Sequence, residues 1–273
     1  IMKRLEGKTA VITGAGSGFG ALSAKLFAEE GAKVVVADCN EEGGMQTVKE
    51  IEEKGGIAVF IKTDVTKSED CKRMVETAVE KWGKLDIIFN NAGITGGVKY
   101  DFAHCDEEIF DQVLKVDVNG VFYGIRHAAP YMVKNGGGSI ISTASVAGML
   151  GCYGGPAYSS AKGAVIAMTI AAANEYGRFG IRANCISPYA ANTPIMKDYM
   201  KTEQGRAKLE LFKSGNPMGK LVDPKAIAYA ALYLASDESS CTSGHNLVVD
   251  CGATIQSQPV NMDIFAADNP YEV

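Results

Sequence analysis

Short apolar runs rich in β-branched residues alternate along the chain with longer stretches of helical period. Lys8–Thr13 (KTAVIT), Ala32–Asp38 (AKVVVAD), Ile57–Ile61, Leu85–Asn90 (LDIIFN), Ser139–Ser142 and Ile181–Ser187 are each too short for helices. They lack strict polar alternation, which is the pattern of strands covered on both faces. Asn246–Val249 reads as a last strand. Between them, Gly20–Glu30, Glu41–Lys54, Ser68–Lys81, Asp106–Lys134, Tyr158–Phe179 and Pro224–Ala235 read as helices. Asp64-Val-Thr-Lys-Ser68 offers carboxylate and hydroxyl caps ahead of the third, and Asp223-Pro224 opens the last with proline in its first turn. Strand–helix alternation without linker or repeat predicts an α/β fold. The expected architecture is one domain over residues 1–273, a doubly wound parallel sheet of about seven strands with helices on both faces. Two segments fit that sheet poorly: an insertion at about 189–219, expected as a lid, and a polar tail at 253–273.

Ligands of such a sheet bind beyond the carboxyl ends of the strands, where the strand order reverses. The loop leaving the first strand is Thr13-Gly-Ala-Gly-Ser-Gly-Phe-Gly20, and a helix follows it. Glycines there let backbone amides approach a pyrophosphate, whose charge then faces a helix N-terminus. Asp38 closes the next strand, placed to accept hydrogen bonds from a ribose and to repel a 2′-phosphate. Ser17 and Cys39, the neighbouring positions, supply no arginine for such a phosphate. The cofactor expected on this Rossmann-type domain is therefore NAD rather than NADP.

Tyr158-Ser-Ser-Ala-Lys162 places a phenol and an ammonium at i and i+4, on one face of a helix. A phenol of pKa about 10 is a poor base near neutrality, and a nearby positive charge favours the phenolate. Ser145 follows the preceding strand and can bind the same substrate oxygen. The loops beyond the strand ends carry Met149, Leu150, Tyr153, Tyr189, Ile195 and Met196 without an arginine, which points to a mostly apolar small-molecule substrate. Tyr153, Tyr189 and Met196 are the expected contacts, beside Ser145 and Tyr158.

Composition narrows the setting. A net charge of −5 gives no attraction to nucleic acid or anionic membranes. No run of about 18 apolar residues exists to span a bilayer, and Ile1–Lys8 has no apolar signal core. Seven cysteines with no CxxC pair read as reduced thiols, and three scattered histidines offer no metal spacing. The expectation is a cytoplasmic protein without metal.

The combination of TGAGSGFG at Thr13–Gly20, Asp38, Asp64-Val65, NNAG at Asn90–Gly93, Asn119, Ser145, YSSAK at Tyr158–Lys162 and the run from Pro188 to Thr193 resembles the short-chain dehydrogenase/reductase family over about residues 5 to 252. The resemblance implies that Gly14, Ser17, Gly18 and Gly20 shape the cofactor loop, with Phe19 where the family usually has an aliphatic residue. Asp38 and Cys39 would lie at the adenosine ribose, and Asp64 and Val65 would flank the adenine. Asn91, Ala92 and Gly93 would lie near the nicotinamide ribose. Pro188, Ala191 and Thr193 would border the cofactor.

The family's catalytic tetrad would map onto Asn119, Ser145, Tyr158 and Lys162, with Tyr158 exchanging the proton, Ser145 holding the alcohol oxygen, Lys162 binding the ribose and Asn119 positioning a relay water. Tyr189 stands where the family usually has glycine. The SPYA and SGHNLVVD strings are similar to a subgroup oxidising cyclic terpenoid-type or steroid-like alcohols. Family members usually pair their long helices, which implies a homotetramer. Two alternatives stay open: a same-fold enzyme using NAD without net redox change, and a non-catalytic dinucleotide sensor.

Overall fold

The computed structural model describes residues 3–96, 102–151, 155–193, 201 and 203–255. Strand β1 (Thr9–Thr13) is buried along its whole length. It lies in a seven-stranded sheet with β2 (Lys33–Asp38), β3 (Ile57–Lys62), β4 (Ile87–Asn90), β5 (Gly138–Thr143), β6 (Ile181–Pro188) and β7 (Asn246–Val249). The strand order is β3-β2-β1-β4-β5-β6-β7, and every pairing is parallel.

The helices are α1 (Gly18–Glu29), α2 (Glu41–Glu52), α3 (Ser68–Trp82), α4 (Glu107–Leu114), α5 (Gly120–Lys134), α6 (Gly155–Tyr176), α7 (Glu203–Ser214) and α8 (Pro224–Ala235). They cover both faces. Ile12, Val34 and Val36 share one core with Phe27 of α1 and Leu232 of α8. Their chain neighbours Val11, Val35 and Ala37 share the other with Met74 of α3, Met132 of α5 and Val165 of α6. Successive strand side chains alternate between faces, so a sheet covered twice needs apolar residues at both parities.

Asp223 caps α8 through the amide of Lys225, with Pro224 in the first turn, as its sequence predicts. Asp64 closes its own turn instead of capping α3: its carboxylate accepts from the amide and hydroxyl of Thr66. The long helix expected over Asp106–Lys134 is divided. After α4, Lys115–Asn119 form a π-turn before α5 begins. Such a turn takes in an extra residue and changes which side chains face inward. Residues 194–200 and 202 of the insertion, and 256–273 of the tail, lie outside the described residues. The rest of the insertion holds α7. No helix among the described residues is long and apolar enough to cross a membrane.

Phe27 is fully buried between α1 and the sheet. Phe27→Ala should lower unfolding stability by about 3–5 kcal/mol, read from urea denaturation, because a cavity is added to the lost transfer free energy.

Candidate active site

The sheet order turns at β1 and β4, so the loops leaving these adjacent strands diverge and open a crevice between them. Gly14 and Gly18 lie at φ +63 and +53, in the left-handed region. A Cβ on Gly14 would lie 2.9 Å from the Cα of Ala92, so the two loops touch backbone to backbone. Asp38, at the end of β2, accepts from the amide of Gly16 at 2.7 Å and from that of Asn40 at 2.8 Å. Those two bonds aim the carboxylate into the crevice and leave it lone pairs for a further donor.

One hydroxyl joins the facing loops. Thr13 Oγ1 accepts from the amides of Asn91 and Ala92 at 2.9 and 3.0 Å. Asn91 returns a bond from Nδ2 to the Thr13 carbonyl and accepts from Thr143 Oγ1, both at 3.1 Å. The resulting cleft of about 450 Å³ is lined by the expected Gly14, Ser17, Gly18, Phe19, Asp38, Cys39, Asp64, Val65, Asn91, Ala92, Gly93 and Thr193. Gly20, Pro188 and Ala191 do not line it. Gly20 packs beneath the loop against the Gly14 carbonyl, and Pro188 and Ala191 are buried. Thr63, Ile94, Gln112 and Val116 line the cleft without having been picked from sequence. The hydroxyl of Thr66 is the main influence holding the Asp64 carboxyl below the usual carboxylate range.

Tyr158 and Lys162, also expected at the cofactor, do not line the cleft either; they lie behind Gly93 and share a face of α6, with Nζ 5.4 Å from the centre of the tyrosine ring. Lys162 is buried; Nζ donates to the Thr143 carbonyl at 2.9 Å. Ser145 lies at the start of the Val146–Gly148 turn, which packs so closely on α6 that a Cβ on Gly148 would come 2.5 Å from the backbone of Lys162. The Ser145 hydroxyl accepts from the amide of Ala147 at 3.1 Å and donates to the Pro188 carbonyl at 3.5 Å.

Asn119 needs correction. It is exposed, at the end of the π-turn, while Asp117 is wholly buried with Oδ2 2.9 Å from Lys162 Nζ. Two positions along a helical turn point to nearly opposite sides, so only one of this pair can face α6. Asp117 Oδ1 also accepts from the amide of Ile94 at 2.8 Å. Burial alone would push the Lys162 ammonium toward the neutral amine; Asp117, then Tyr158, outweighs it, and the lysine pKa is raised. Nothing in the spacing from Asn119 to Tyr158 marks Asp117. Its one sequence signal is an acid in an otherwise apolar VDV stretch.

Tyr189 also differs from expectation. Its ring is buried and meets Phe212 of α7 edge-on, with centroids 5.8 Å apart. Its bulk thus goes into the joint between the sheet and the insertion. Tyr153 and Met196 lie outside the described residues.

A family model described as enoyl-(acyl carrier protein) reductase matches residues 14–254. A protein named borneol dehydrogenase, mitochondrial, from Lavandula x intermedia is 43% identical over 262 residues, which cover 96% of each chain. Secoisolariciresinol dehydrogenase of Forsythia intermedia is 41% identical over 93% of this chain and 92% of its own. The structure of a 7α-hydroxysteroid dehydrogenase complexed with NADH and 7-oxo glycochenodeoxycholic acid superposes with a TM-score of 0.85 at 36% identity. It covers 92% of this chain and 96% of that one.

A Cβ on Gly93 would lie 2.9 Å from Asp117 Oδ2 and 3.2 Å from Lys162 Nζ. Gly93→Ala should therefore wedge this pair and weaken dinucleotide binding about tenfold, as overpacking of 1–3 kcal/mol implies, in a fluorescence titration.

Proposed function

Because the chain belongs to the short-chain dehydrogenase/reductase family, we propose that it interconverts a secondary alcohol and a ketone on a cyclic, mostly apolar molecule, with NAD as the redox partner. Membership makes it an alcohol dehydrogenase/reductase acting through a nicotinamide dinucleotide. The observation that carries the reading is the pairing of Tyr158 with Lys162 on α6, directly behind Gly93 of a cleft built of glycines, backbone amides and Asp38.

The residues present fit such a cofactor. Gly14 and Gly93 leave bare Cα atoms along the cleft where a Cβ would collide, and Asp38 is held at the end where a ribose would lie. Gly14, Ser17, Gly18 and Phe19 would hold the pyrophosphate, and Asp64 and Val65 the adenine. Asn91 to Gly93, with Thr193, would hold the nicotinamide half. When bound, the nicotinamide supplies a two-electron acceptor for the hydride on the alcohol carbon. Tyr158 takes the hydroxyl proton as that carbon is oxidised and returns it in reduction. Ser145 would turn its hydroxyl from the Pro188 carbonyl to the same oxygen. Lys162, as an ammonium, favours the negative oxygen that Tyr158 must carry in passing.

NAD is preferred over NADP in this reading because the cleft offers Asp38 and no arginine among its described walls. The substrate class follows from the apolar loops and from relatives whose names refer to borneol, secoisolariciresinol and a hydroxysteroid. A reducing compartment such as the cytoplasm suits the free thiols of the described cysteines. Exposed apolar Phe122 on α5 and Ile170 on α6 suit assembly as a homotetramer.

With a panel of cyclic alcohols, NADH absorbance should appear, and Tyr158→Phe should lower kcat about 10³-fold while NAD still binds. An unchanged rate would remove Tyr158 from the mechanism. Substrate consumed without NADH would indicate the non-oxidative alternative, and tight NAD binding without turnover the sensor. Separately, Asp38→Ala combined with Cys39→Arg should raise NADP use relative to NAD; equal use of both by the unaltered protein would refute the role of Asp38.

A further inference from the structure

Tyr189 stands immediately after β6, where that strand, β7 and α7 meet, and it is 6% exposed. On one side its amide donates to the Val249 carbonyl of β7 at 3.2 Å. On the other its ring meets Phe212 edge-on, and a Cβ on Gly215 would lie 3.0 Å from its hydroxyl. The side chain therefore spans from the sheet to the last turn of α7 and the bend that follows. The same planar peptide carries the Pro188 carbonyl, which accepts the Ser145 hydroxyl at 3.5 Å. What Tyr189 braces thus also restrains the serine proposed to hold the alcohol oxygen.

Two residues further on, Ala191 and Val222 form a parallel bridge. The Val222 amide donates to the Ala190 carbonyl at 2.9 Å, and the Asn192 amide to the Val222 carbonyl at 3.3 Å. Residues 192–221 thus leave and rejoin the body of the domain at one place. Asn216, 4% exposed, donates to the carbonyls of Phe212 and Lys220 at 2.9 and 3.0 Å, which binds the end of α7 to the returning chain. A segment closed at its base in this way can still tilt, and the tilt is resisted by what crosses from the base to its body. Tyr189 makes that crossing to Phe212.

We propose that Tyr189 is a positioning residue for the alcohol: its ring sets how far the segment 192–221 stands from Ser145, and so fixes the affinity for substrate. Dinucleotide binding and proton transfer by Tyr158 proceed without it. The inference rests on the dehydrogenase reading above, since a seat beside Ser145 selects a substrate only if Ser145 receives one. A site wall that is correctly seated in a fraction of the molecules lowers the apparent affinity by that fraction. Loss of the ring should therefore appear in KM for the alcohol and spare kcat, which is reached once substrate already holds the segment.

The test is Tyr189→Gly, assayed with NAD and whichever of borneol, menthol and cyclohexanol the unaltered protein oxidises fastest. KM for that alcohol should rise about five- to tenfold, the size of an edge-on aromatic pair, with kcat and the Kd of NAD within about twofold. Tyr189→Phe keeps the ring and should restore the original KM. Phe212→Ala breaks the same contact from α7 and should raise KM alike. The double variant should be no worse than the larger single, as expected of two residues that share one contact. A role confined to stability would lower the melting temperature of Tyr189→Gly and leave this KM in place. An unmoved KM in folded Tyr189→Gly, or a strictly additive double variant, overturns the proposal.

The seat can also be read without turnover. Hydrogen–deuterium exchange of peptides from 203–214 should quicken about five- to tenfold in Tyr189→Gly and in Phe212→Ala, while peptides from β5 and α6 hold their rates. Tyr189→Phe should exchange as the unaltered protein does. Should Tyr189→Gly not fold, Phe212→Ala carries both measurements alone. Unchanged exchange in α7 overturns the proposal whatever the substrate. A loosened α7 in a protein that oxidises no cyclic alcohol would fault the dehydrogenase reading and leave the seat standing.

Discussion

Lys162 carries a positive charge where little water reaches it, and much of the site is arranged around keeping that charge in place. Helix α6 brings it in, the last carbonyl of β5 accepts a hydrogen bond from it, and the carboxylate of Asp117 stands against it. Gly93 is bare because a Cβ there would press on both partners. The turn after Ser145 sits on the backbone of Lys162 through Gly148, so the serine turn packs directly on the helix that carries the lysine and the tyrosine. In the proposed reaction a group held in this way would need little reorganisation during proton transfer.

The other half of the site depends on how two adjacent strands end. β1 and β4 are neighbours with diverging loops, and a threonine hydroxyl at the end of β1 holds the backbone of the facing loop by two amides. Thr143 belongs to both halves: its hydroxyl bonds Asn91 and its carbonyl bonds Lys162. The cleft floor and the buried charge are therefore coupled through one residue of β5. This coupling fixes the Asn91 side of the cleft relative to Lys162.

Tyr189 shows how a departure in sequence can act at a distance. It follows β6, holds its amide to the Val249 carbonyl and presses its ring against Phe212. Helix α7 is consequently seated on the end of the sheet by an aromatic pair. Edge-on pairs of this geometry contribute about 0.5–1.5 kcal/mol beyond the area they bury. A glycine there would offer no such anchor, so the residue bears on where the insertion rests.

The alternation of apolar runs determined the fold class, because a sheet covered on both faces has no other pattern available to it. The glycine loop, Asp38, Ser145, Tyr158 and Lys162 could be picked as candidates from local spacing, since each sits at a strand end or on one helix face, and Asn91 to Gly93 from the family resemblance. What only the tertiary structure decided was which residue of the fourth helical segment meets Lys162, and where Tyr189 turns. The first depends on a π-turn, whose extra residue no periodicity announces, so the reading that favoured Asn119 fell two positions from Asp117. The second depends on α7, distant in sequence, arriving to cover an aromatic ring. Local spacing is set by bonds along the chain, whereas pairing across elements is set by packing that a single sequence does not display.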